Sequence, residues 1–543
     1  MKVLGISGSE RQAAAALAID GELVAACTEE SLVRVPQIGY RHTGGFPCSA
    51  IGACLERAGV HLSDVDRIRT TDPVDGSLAG TEKPIIQVAD VNRLRALLAA
   101  RTFEPVDAVR ADAAQLWPAG ETRAAVILVV GVRPASAARF RTSDGRLVPL
   151  GDLPGADRFL CSIRRVARLL GVDAPNPLDG LERLAAGAAP DLLPVMTSAI
   201  RWKPDGDLVF DEEALLRLLP SHGDEHVLRP DAVQTARAMA ASVCVHAARL
   251  IAEQARDLMA TTGAQTVGFA GELFTSTALV GRLVKSLDAA CAIAPVPELS
   301  GRAIGAALDE SDVTRPRIRS LALGPEYSEA DIKLALENCR LEYLYEPDWN
   351  RLLQRVSKML ARGTIVGWFQ GPTGFGSHAV GTRSILADAG NAYARENINR
   401  FLKKRPVDEP LTACLTADGA RECLEVELGP AFVPIPAKVR SGRRERLRAA
   451  IDAQSEVPAQ IVTGDQAPLL ERLLTAHRER SGGLALLHTT LSGADESAAC
   501  TPRDAIRTMF SSAMDALVIG RFLLMKDYWQ LRSDAEPLGP PTA

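Results

Sequence analysis

The sequence predicts an α/β protein with more than one domain. Stretches typical of strands alternate with stretches typical of helices along most of the chain. The 543 residues exceed what a single core holds, and a prior of roughly 150 residues per domain gives two to four domains. Hydrophobic residues make up 47% and charged residues 24%, which is the composition of a globular protein.

The first elements read as strand, turn, strand, turn, strand. Apolar runs cover residues 3–6, 13–19 and 23–27, and Asp20-Gly21 is a hairpin turn signal between the last two runs. A helix follows, because apolar residues recur at helical spacing from Ala50 to Ala58.

The middle of the chain continues the alternation. A buried strand is predicted over residues 124–130, and a long amphipathic helix opened by Pro230-Asp231 is predicted over 231–262. A strand over 266–269 then leads into the turn Ala270-Gly271-Glu272 and a further helix. We find no internal repeat in the sequence.

Proline and glycine mark a change near residue 315. The predicted organisation is a first domain over residues 1–314, a linker over 315–330, a second domain over 331–532 and a flexible tail over 533–543. In the second domain we predict helices over 328–338 and 349–362 and a strand over 364–368 that enters a Gly-rich loop. Further on, a strand is predicted over 484–487, and helix then strand over 504–520.

Charge and composition argue against several classes of partner. The net charge of -5 gives no reason to expect nucleic acid or an anionic membrane. The start lacks the apolar core of a signal peptide, and no stretch approaches the roughly 18 to 20 apolar residues of a membrane span. The ten Cys form no CxxC pair. We therefore expect a cytoplasmic protein with no nucleic-acid and no membrane partner.

Several stretches, taken in order, carry a family resemblance. They are AAAALAIDGELVAACTEE, GGFPCSAI, LGPEYSEADIKLALE, LARGTIVGWFQG, GTRSILAD and CTPRDAIRTMFSSAMDALVIG, spread between residues 13 and 520. They resemble the carbamoyltransferases of the nodulation and antibiotic O-carbamoylation type. The resemblance implies an actin-like (ASKHA) domain followed by a smaller YrdC-like α/β domain. It also implies that the second domain makes carbamoyl adenylate from carbamoyl phosphate and ATP, and that the first transfers the carbamoyl group using a divalent metal and a nucleotide.

The metal positions implied by the resemblance hold other residues here. Glu10, Arg11 and Gln12 stand where the family has a His-Asp, residues 108–112 replace a His-His-x-x-His run, and Leu299 replaces an Asp ligand. Alkyl groups do not ligate a metal and guanidinium groups repel it. We expect no metal in this domain. Asp112, the one carboxylate left in the run, is interpreted as a helix cap or surface charge.

The nucleotide cradle implied by the resemblance is also altered. Residues 130–134 replace an Asp-Gly-Val-Gly-Glu turn and so lose both acids, and Glu272 replaces the last Gly of an Ala-Gly-Gly turn. Gly271 is therefore a weak candidate for a phosphate-binding turn, and a simple tight turn is the favoured interpretation. No cofactor is expected in the first domain.

The second domain keeps more of the family's pattern. Candidate contacts to a carbamoyl adenylate or another anion are His378, Arg383, Lys403, Lys404 and Thr490, and ATP or carbamoyl phosphate are the ligands such a site implies. His378 replaces an Arg of the family, and Glu409 reverses a further charge. Two interpretations of residues 403–405 stay open: a solvated helix end and a residual anion site.

Two functions follow from this pattern. The first is a diverged subunit, in a homodimer or a heteromer, that supports an active carbamoyltransferase paralogue in a natural-product pathway. The alternative is an enzyme that still transfers a carbamoyl group to a hydroxyl or amine of a small-molecule acceptor through a rearranged site. The sequence leaves open whether the chain is an enzyme.

Overall fold

The computed structural model describes residues 1–72, 91–116, 126–132, 136–143, 146–203, 206–218, 230–309, 318–429, 431–452 and 454–526. The predicted tail over 533–543, part of the predicted linker and Arg133-Pro134 lie outside these residues. Within them the chain is a mixed α/β protein, which confirms the predicted class.

A five-stranded sheet opens the chain. Its strands are β1 (Lys2–Ser7), β2 (Ala14–Ile19), β3 (Glu22–Thr28), β4 (Arg67–Thr70) and β5 (Glu104–Pro105), in the order β3-β2-β1-β4-β5. The first three strands run antiparallel to their neighbours, whereas β4 and β5 join in parallel. The helices of this part are α1 (Glu29–Val33), α2 (Cys48–Ala58), α3 (Val91–Ala99) and α4 (Ala108–Ala114), with 3-10 turns at Tyr40–Thr43 and Leu62–Asp64.

A second five-stranded sheet repeats this arrangement. Its strands are β6 (Val126–Val130), β7 (Ala137–Ser143), β8 (Arg146–Asp152), β11 (Thr266–Ala270) and β12 (Ala290–Ile293), in the order β12-β11-β6-β7-β8. Again the first three strands are antiparallel, and the fourth and fifth join in parallel on the other side of the first. The two sheets therefore share one topology, although the sequence shows no repeat.

Helices and a small ribbon lie between and after the strands of the second sheet. They are α5 (Ala156–Leu169), α6 (Pro177–Ala185), α7 (Leu193–Ala199), β9 (Ile200–Trp202), β10 (Leu208–Phe210), α8 (Glu212–Leu216), α9 (Pro230–Thr262), a 3-10 turn (Glu272–Thr275), α10 (Thr277–Ser286) and α11 (Gly301–Leu308). The helix α9 packs on α6, α7 and α10 and forms part of a large buried core. The last helix, α11, returns to the first sheet and packs against β1 and α4. This return brings the chain around residues 298–302 next to the loop that follows β1.

A nine-stranded sheet dominates the remainder of the chain. Its order is β13-β21-β20-β14-β15-β19-β16-β18-β17, with bounds β13 (Leu344–Tyr345), β14 (Val366–Phe369), β15 (Arg383–Asp388), β16 (Thr412–Leu415), β17 (Ile435–Lys438), β18 (Glu456–Ile461), β19 (Leu486–Thr490), β20 (Ala516–Ile519) and β21 (Phe522–Met525). The helices are α12 (Glu329–Asn338), α13 (Trp349–Ala361), α14 (Ala394–Glu396), α15 (Ala417–Cys423), α16 (Pro468–Ser481) and α17 (Pro502–Ser511), with a π-helix at Asn397–Lys403 and a 3-10 turn at Ser441–Leu447. Separate apolar clusters form the core of this part.

The segment before α12 joins the two parts through backbone hydrogen bonds. Ala26 of β3 donates to the carbonyl of Leu323 at 3.0 Å, and Gly324 donates to the carbonyl of Thr373 in the Gly-rich loop at 2.8 Å. The predicted domain boundaries stay a prediction, and this junction places the Gly-rich loop close to the first sheet.

Candidate functional site

The altered positions of the first domain gather around the loop after β1. Gly8, Glu10 and Arg11 of this loop line a small cavity of about 40 Å³ together with Leu299 and Arg302. The hydroxyl of Ser7, at the end of β1, donates to the carbonyl of Leu299 at 3.2 Å. Glu10, Arg11 and Leu299, which stand where the family resemblance implies other residues, are thus neighbours in space.

Asp112 lies in this region as a buried ion-pair partner. Its carboxylate is 1% exposed and accepts from Nε of Arg302 at 3.1 Å and from Nη2 at 2.9 Å. Burial acts to lower the pKa of Arg302, but the Asp112 charge outweighs it and the pKa stands above its ordinary value. The interpretation of Asp112 as a helix cap or surface charge is wrong, because Asp107 caps α4 and Asp112 faces α11.

The one arginine of the run, Arg110, is paired in the same way. Arg110 donates through Nε to both carboxylate oxygens of Asp309 at 2.9 Å and through Nη1 to the carbonyl of Leu147 at 3.1 Å. Both pairs connect α4 to α11, with Arg302 at the start of that helix and Asp309 just after its end. A guanidinium group therefore lies beside the one carboxylate that the run contributes, and these residues do not fit a divalent cation.

Arg11 and Glu272 form a third ion pair across the two five-stranded sheets. Nη2 of Arg11 donates to Oε1 of Glu272 at 2.6 Å, and the two side chains are 22% and 11% exposed. Arg11 follows β1, whereas Glu272 follows β11 of the second sheet. The carboxylate of Glu272 occupies the turn where the family resemblance implies a phosphate, so this turn does not fit a phosphate either.

Gly271 is held in a conformation that explains it without a ligand. Its φ is +99°, and a Cβ added there would lie 2.6 Å from the carbonyl oxygen of Val130. Glycine is needed for this backbone conformation and for the close approach to the end of β6. The geometry favours the tight-turn interpretation; the weak nucleotide assignment stays a prediction.

In the second domain, Arg383 is buried under the Gly-rich loop. Nη1 donates to the carbonyls of Gln370, Gly371 and Thr382 at 3.0 to 3.1 Å, and Nη2 donates to the hydroxyl of Thr373 at 3.0 Å. The guanidinium also stacks over the ring of Phe369, 3.5 Å from its centroid. Burial lowers the pKa of Arg383 to about 10, so it stays charged at neutral pH. Its geometry holds the loop in place.

The cations at residues 403–405 point in different directions. Nζ of Lys403 donates to the carbonyl of Thr490 at 2.7 Å and to the carbonyl and hydroxyl of Ser492 at 2.9 Å. Lys404 adopts a positive φ and is exposed, and Arg405 pairs with Glu409 at 3.0 Å. Lys403 is thus tied to the end of β19, while Lys404 lies at a solvated helix end.

Thr490 meets Lys403 through its carbonyl, and its side chain is half-buried. Burial, with the Arg405 charge as a smaller cause, lowers the pKa of Lys403 to about 7. The candidate residues Lys403 and Thr490 therefore come together, whereas Arg383 is enclosed by the loop that precedes it.

His378 has a neighbour that the sequence did not single out. Burial, together with the charges of His378 and Lys403, lowers the pKa of His488 to about 3. Burial also lowers the pKa of His378, opposed by Glu298. Within the described part of the chain, Nε2 of each imidazole is buried without a hydrogen-bond partner. Both rings are neutral at pH 7.

Gln460 completes this cluster. Its amide nitrogen donates to the carbonyls of His378 at 3.2 Å and Phe432 at 2.8 Å, and its buried Oε1 has no partner among the described residues. A histidine that directly follows the apolar residues 484–487 is the sequence signal that would have identified His488. Gln460 gave a similar signal in β18.

The described residues offer no cluster of metal ligands. Among them there is no group of three or more His, Cys, Asp or Glu side chains that could hold a metal ion. They also contain no helix that is long and apolar enough to cross a membrane.

Part of the chain matches a family model, and several known proteins are similar to it. Residues 357–526 match the family model described as carbamoyltransferase C-terminus. The chain is 25% identical to nodulation protein NolNO of Sinorhizobium fredii, over 94% of this chain and 78% of that protein. It is 32% identical to 3'-hydroxymethylcephem-O-carbamoyltransferase of Streptomyces clavuligerus, over 25% of this chain and 26% of that protein.

Solved structures are similar to part of this chain. The activator of 2-hydroxyisocaproyl-CoA dehydratase from Clostridium difficile is similar over 58% of this chain and 96% of its own, with 16% identity and a TM-score of 0.32. HypF of T. kodakarensis is similar over 56% and 47%, with 15% identity and a TM-score of 0.36. These low identities and TM-scores support no conclusion about this chain.

Residues 357–526 are therefore identified as a carbamoyltransferase C-terminal domain. The names of the similar proteins are consistent with the nodulation and antibiotic type of carbamoyltransferase, which bears out the resemblance stated from the sequence.

Proposed function

We propose that this chain is a diverged carbamoyltransferase-family subunit that supports an active paralogue in natural-product biosynthesis. One observation carries the proposal: the Arg302 guanidinium lies on Asp112, where the family resemblance implies a metal-ligand run. A positive charge already balances the only carboxylate of that run, so a divalent cation there would meet electrostatic repulsion.

The other two ion pairs support the same conclusion. Arg110 with Asp309 and Arg11 with Glu272 neutralise further charges beside the loop after β1 and the turn after β11. Random loss of function would leave unpaired charges in a buried region, which is costly. Here Arg11, Arg110, Asp112 and Glu272 each have a charged partner, which is expected of a protein that has been kept folded for a purpose other than metal-dependent transfer.

The test uses the purified full chain. We expect no stoichiometric iron, manganese or zinc by metal analysis, and no carbamoyl transfer from carbamoyl phosphate and ATP when the chain is assayed alone. Co-purification with a family member that retains the His-His-x-x-His run, together with a gain in that partner's activity, is the expected positive result. One bound divalent metal per chain would contradict the proposal.

The second candidate is an enzyme with a rearranged site in the second domain. The buried, unpartnered polar atoms of His378, His488 and Gln460, beside Lys403, favour it. Buried polar groups without partners cost free energy, and such groups often face a ligand or ordered water. These residues suit ATP or carbamoyl phosphate only in part. Among the described residues next to Lys403 in the sequence, Lys404 is the one accessible cation.

In such an enzyme the chain's own residues would bind and orient an activated carbamoyl group and exclude water from it. Calorimetric titration of ATP, and assay of AMP release with carbamoyl phosphate, decide between the two candidates. Nucleotide binding with AMP release by the chain alone favours the enzyme, whereas neither event favours the supporting subunit.

A further inference from the structure

A cleft of about 210 Å³ opens where the two domains meet. Arg11 and Gln12 contribute one wall, Asp179 and Arg183 of α6 another, and Glu298 lies beside Ser377 of the second domain. The volume is below the roughly 300–1,000 Å³ of sites for drug-sized ligands, so it suits a small molecule.

Two acceptor oxygens in this cleft lack donors. Oε1 of Glu298 accepts from the backbone nitrogen of Ser377 at 2.6 Å, but its Oε2 is buried with no hydrogen-bond partner in the part of the chain that the structure describes. Oε1 of Gln12 is also buried without a hydrogen-bond partner among these residues, although its amide nitrogen donates to Gln37 at 3.0 Å. A buried carboxylate oxygen without a donor is costly, so these atoms indicate a donor that the described residues do not supply.

Asp179 adds a third acceptor. Its Oδ2 accepts from the hydroxyl of Thr275 at 3.4 Å, and it lies half-buried at the start of α6. Burial raises its pKa to about 6, against hydrogen bonds from Ser276 and Thr275 and the charge of Arg183. Near neutral pH this carboxylate is mostly ionised, and a neighbouring cation would stabilise its buried charge.

The charges of the lining have the sign that a cation requires. Arg11 is already neutralised by Glu272 at 2.6 Å. The remaining charged groups are the carboxylates of Asp179 and Glu298 and the exposed guanidinium of Arg183. The lining therefore keeps a net charge of about one negative unit at neutral pH.

We propose that this cleft binds a small organic molecule through a primary ammonium group, which donates to Glu298, Gln12 and Asp179. A primary ammonium carries three N–H donors, which equals the number of these acceptors. An inorganic divalent cation is a poorer fit, because the described residues offer no metal-holding group of three His, Cys, Asp or Glu. The proposal goes beyond the proposed function and holds whether or not the chain transfers carbamoyl groups.

The test is calorimetric titration of the full chain at physiological salt with three probes of similar length. We expect putrescine to bind at one site, and 1,4-butanediol and succinate, which lack the ammonium group, to show no binding. Binding of succinate, or equal binding of the diol, would overturn the proposal.

Variants locate the site. Glu298→Gln keeps the shape of the side chain but removes its charge, and we expect a loss of at least tenfold in putrescine affinity. Glu479→Gln makes the same change on the exposed face of α16 and should leave the affinity unchanged. Asp179→Asn should also weaken binding, and it tests the site by a second route if the Glu298 variant fails to fold. Equal affinity in Glu298→Gln and Glu479→Gln would show that putrescine binds by net charge alone, which contradicts the proposed cleft.

Discussion

Arg11 and Glu272 lie 2.6 Å apart although 261 positions separate them in sequence. Each follows a strand of a different five-stranded sheet: Arg11 follows β1 of the first sheet, and Glu272 follows β11 of the second. The pair therefore connects the two five-stranded sheets.

A double-mutant cycle should detect this connection. We expect Arg11→Ala and Glu272→Ala each to lower the free energy of unfolding, and the double variant to lose less than the sum. The coupling should be about 1–3 kcal/mol, since both side chains are mostly buried. The exposed pair Arg158–Asp207 is the control, with an expected coupling of about 0–1 kcal/mol. If the effects of the two single substitutions on urea denaturation are additive, the ion pair between Arg11 and Glu272 does not contribute to stability.

Arg302 should be more important to stability than its place near a surface loop suggests. Arg302→Met leaves the Asp112 carboxylate, 1% exposed, without its partner. We expect a loss of about 3–5 kcal/mol in urea-induced unfolding, and partial recovery when Asp112→Asn is added. If the single variant is as stable as the wild type, Asp112 has another source of stabilisation and the ion pair does not replace a metal.

Gly271 should tolerate no side chain. Gly271→Ala combines a positive φ with a contact of 2.6 Å to the carbonyl of Val130, and we expect it to destabilise the protein by about 2–4 kcal/mol. Gly263→Ala is the matched control, because Gly263 also has a positive φ (+70°) but no atom within 4 Å of the added Cβ. The control should lose about 1 kcal/mol. Thermal unfolding of both variants measures the difference, and equal losses would show that the close approach is not limiting.

Asp179 should make stability depend on pH in the acid range. Its pKa is raised to about 6 in the folded protein, above its ordinary 3.8, so the folded state binds the proton more tightly than the unfolded state does. The stability of the wild type relative to Asp179→Asn should therefore fall as pH rises from about 4 to 6, and then stay level. Unfolding curves for both proteins at pH 4, 5, 6 and 8 check this. A difference that does not change with pH would mean that the Asp179 carboxyl has an ordinary pKa.

Lys403 and Lys404 are adjacent but should respond differently to substitution. Lys403→Met leaves the carbonyls of Thr490 and Ser492 without their donor, and we expect a loss of about 1–3 kcal/mol. Lys404→Met removes an exposed charge and should change stability by less than about 0.5 kcal/mol. Chemical denaturation of the two variants tests whether Lys403 holds the end of β19 in place. Equal effects of the two substitutions would contradict that role.

Local pattern was enough to predict some elements of the fold. The predicted helix over 231–262 is α9 (Pro230–Thr262), and the predicted strand over 266–269 is β11 (Thr266–Ala270), because apolar periodicity and proline mark them locally. Asp112 shows the limit of this reasoning. Its partner Arg302 lies 190 residues away, so the sequence near Asp112 carries no sign that the carboxylate is buried and paired.

The sequence by itself indicated the α/β class, the resemblance to carbamoyltransferases and the positions at which that resemblance implies other residues, because these depend on local pattern and on motifs read along the chain. Only the tertiary structure decided that the replacements pair with each other, as Arg11 does with Glu272. It also brought His488 beside His378 and left an acceptor of Glu298 without a donor. Ion pairs and unpartnered atoms depend on distances of a few ångströms between distant segments, and those distances exist only once the strands and helices have packed.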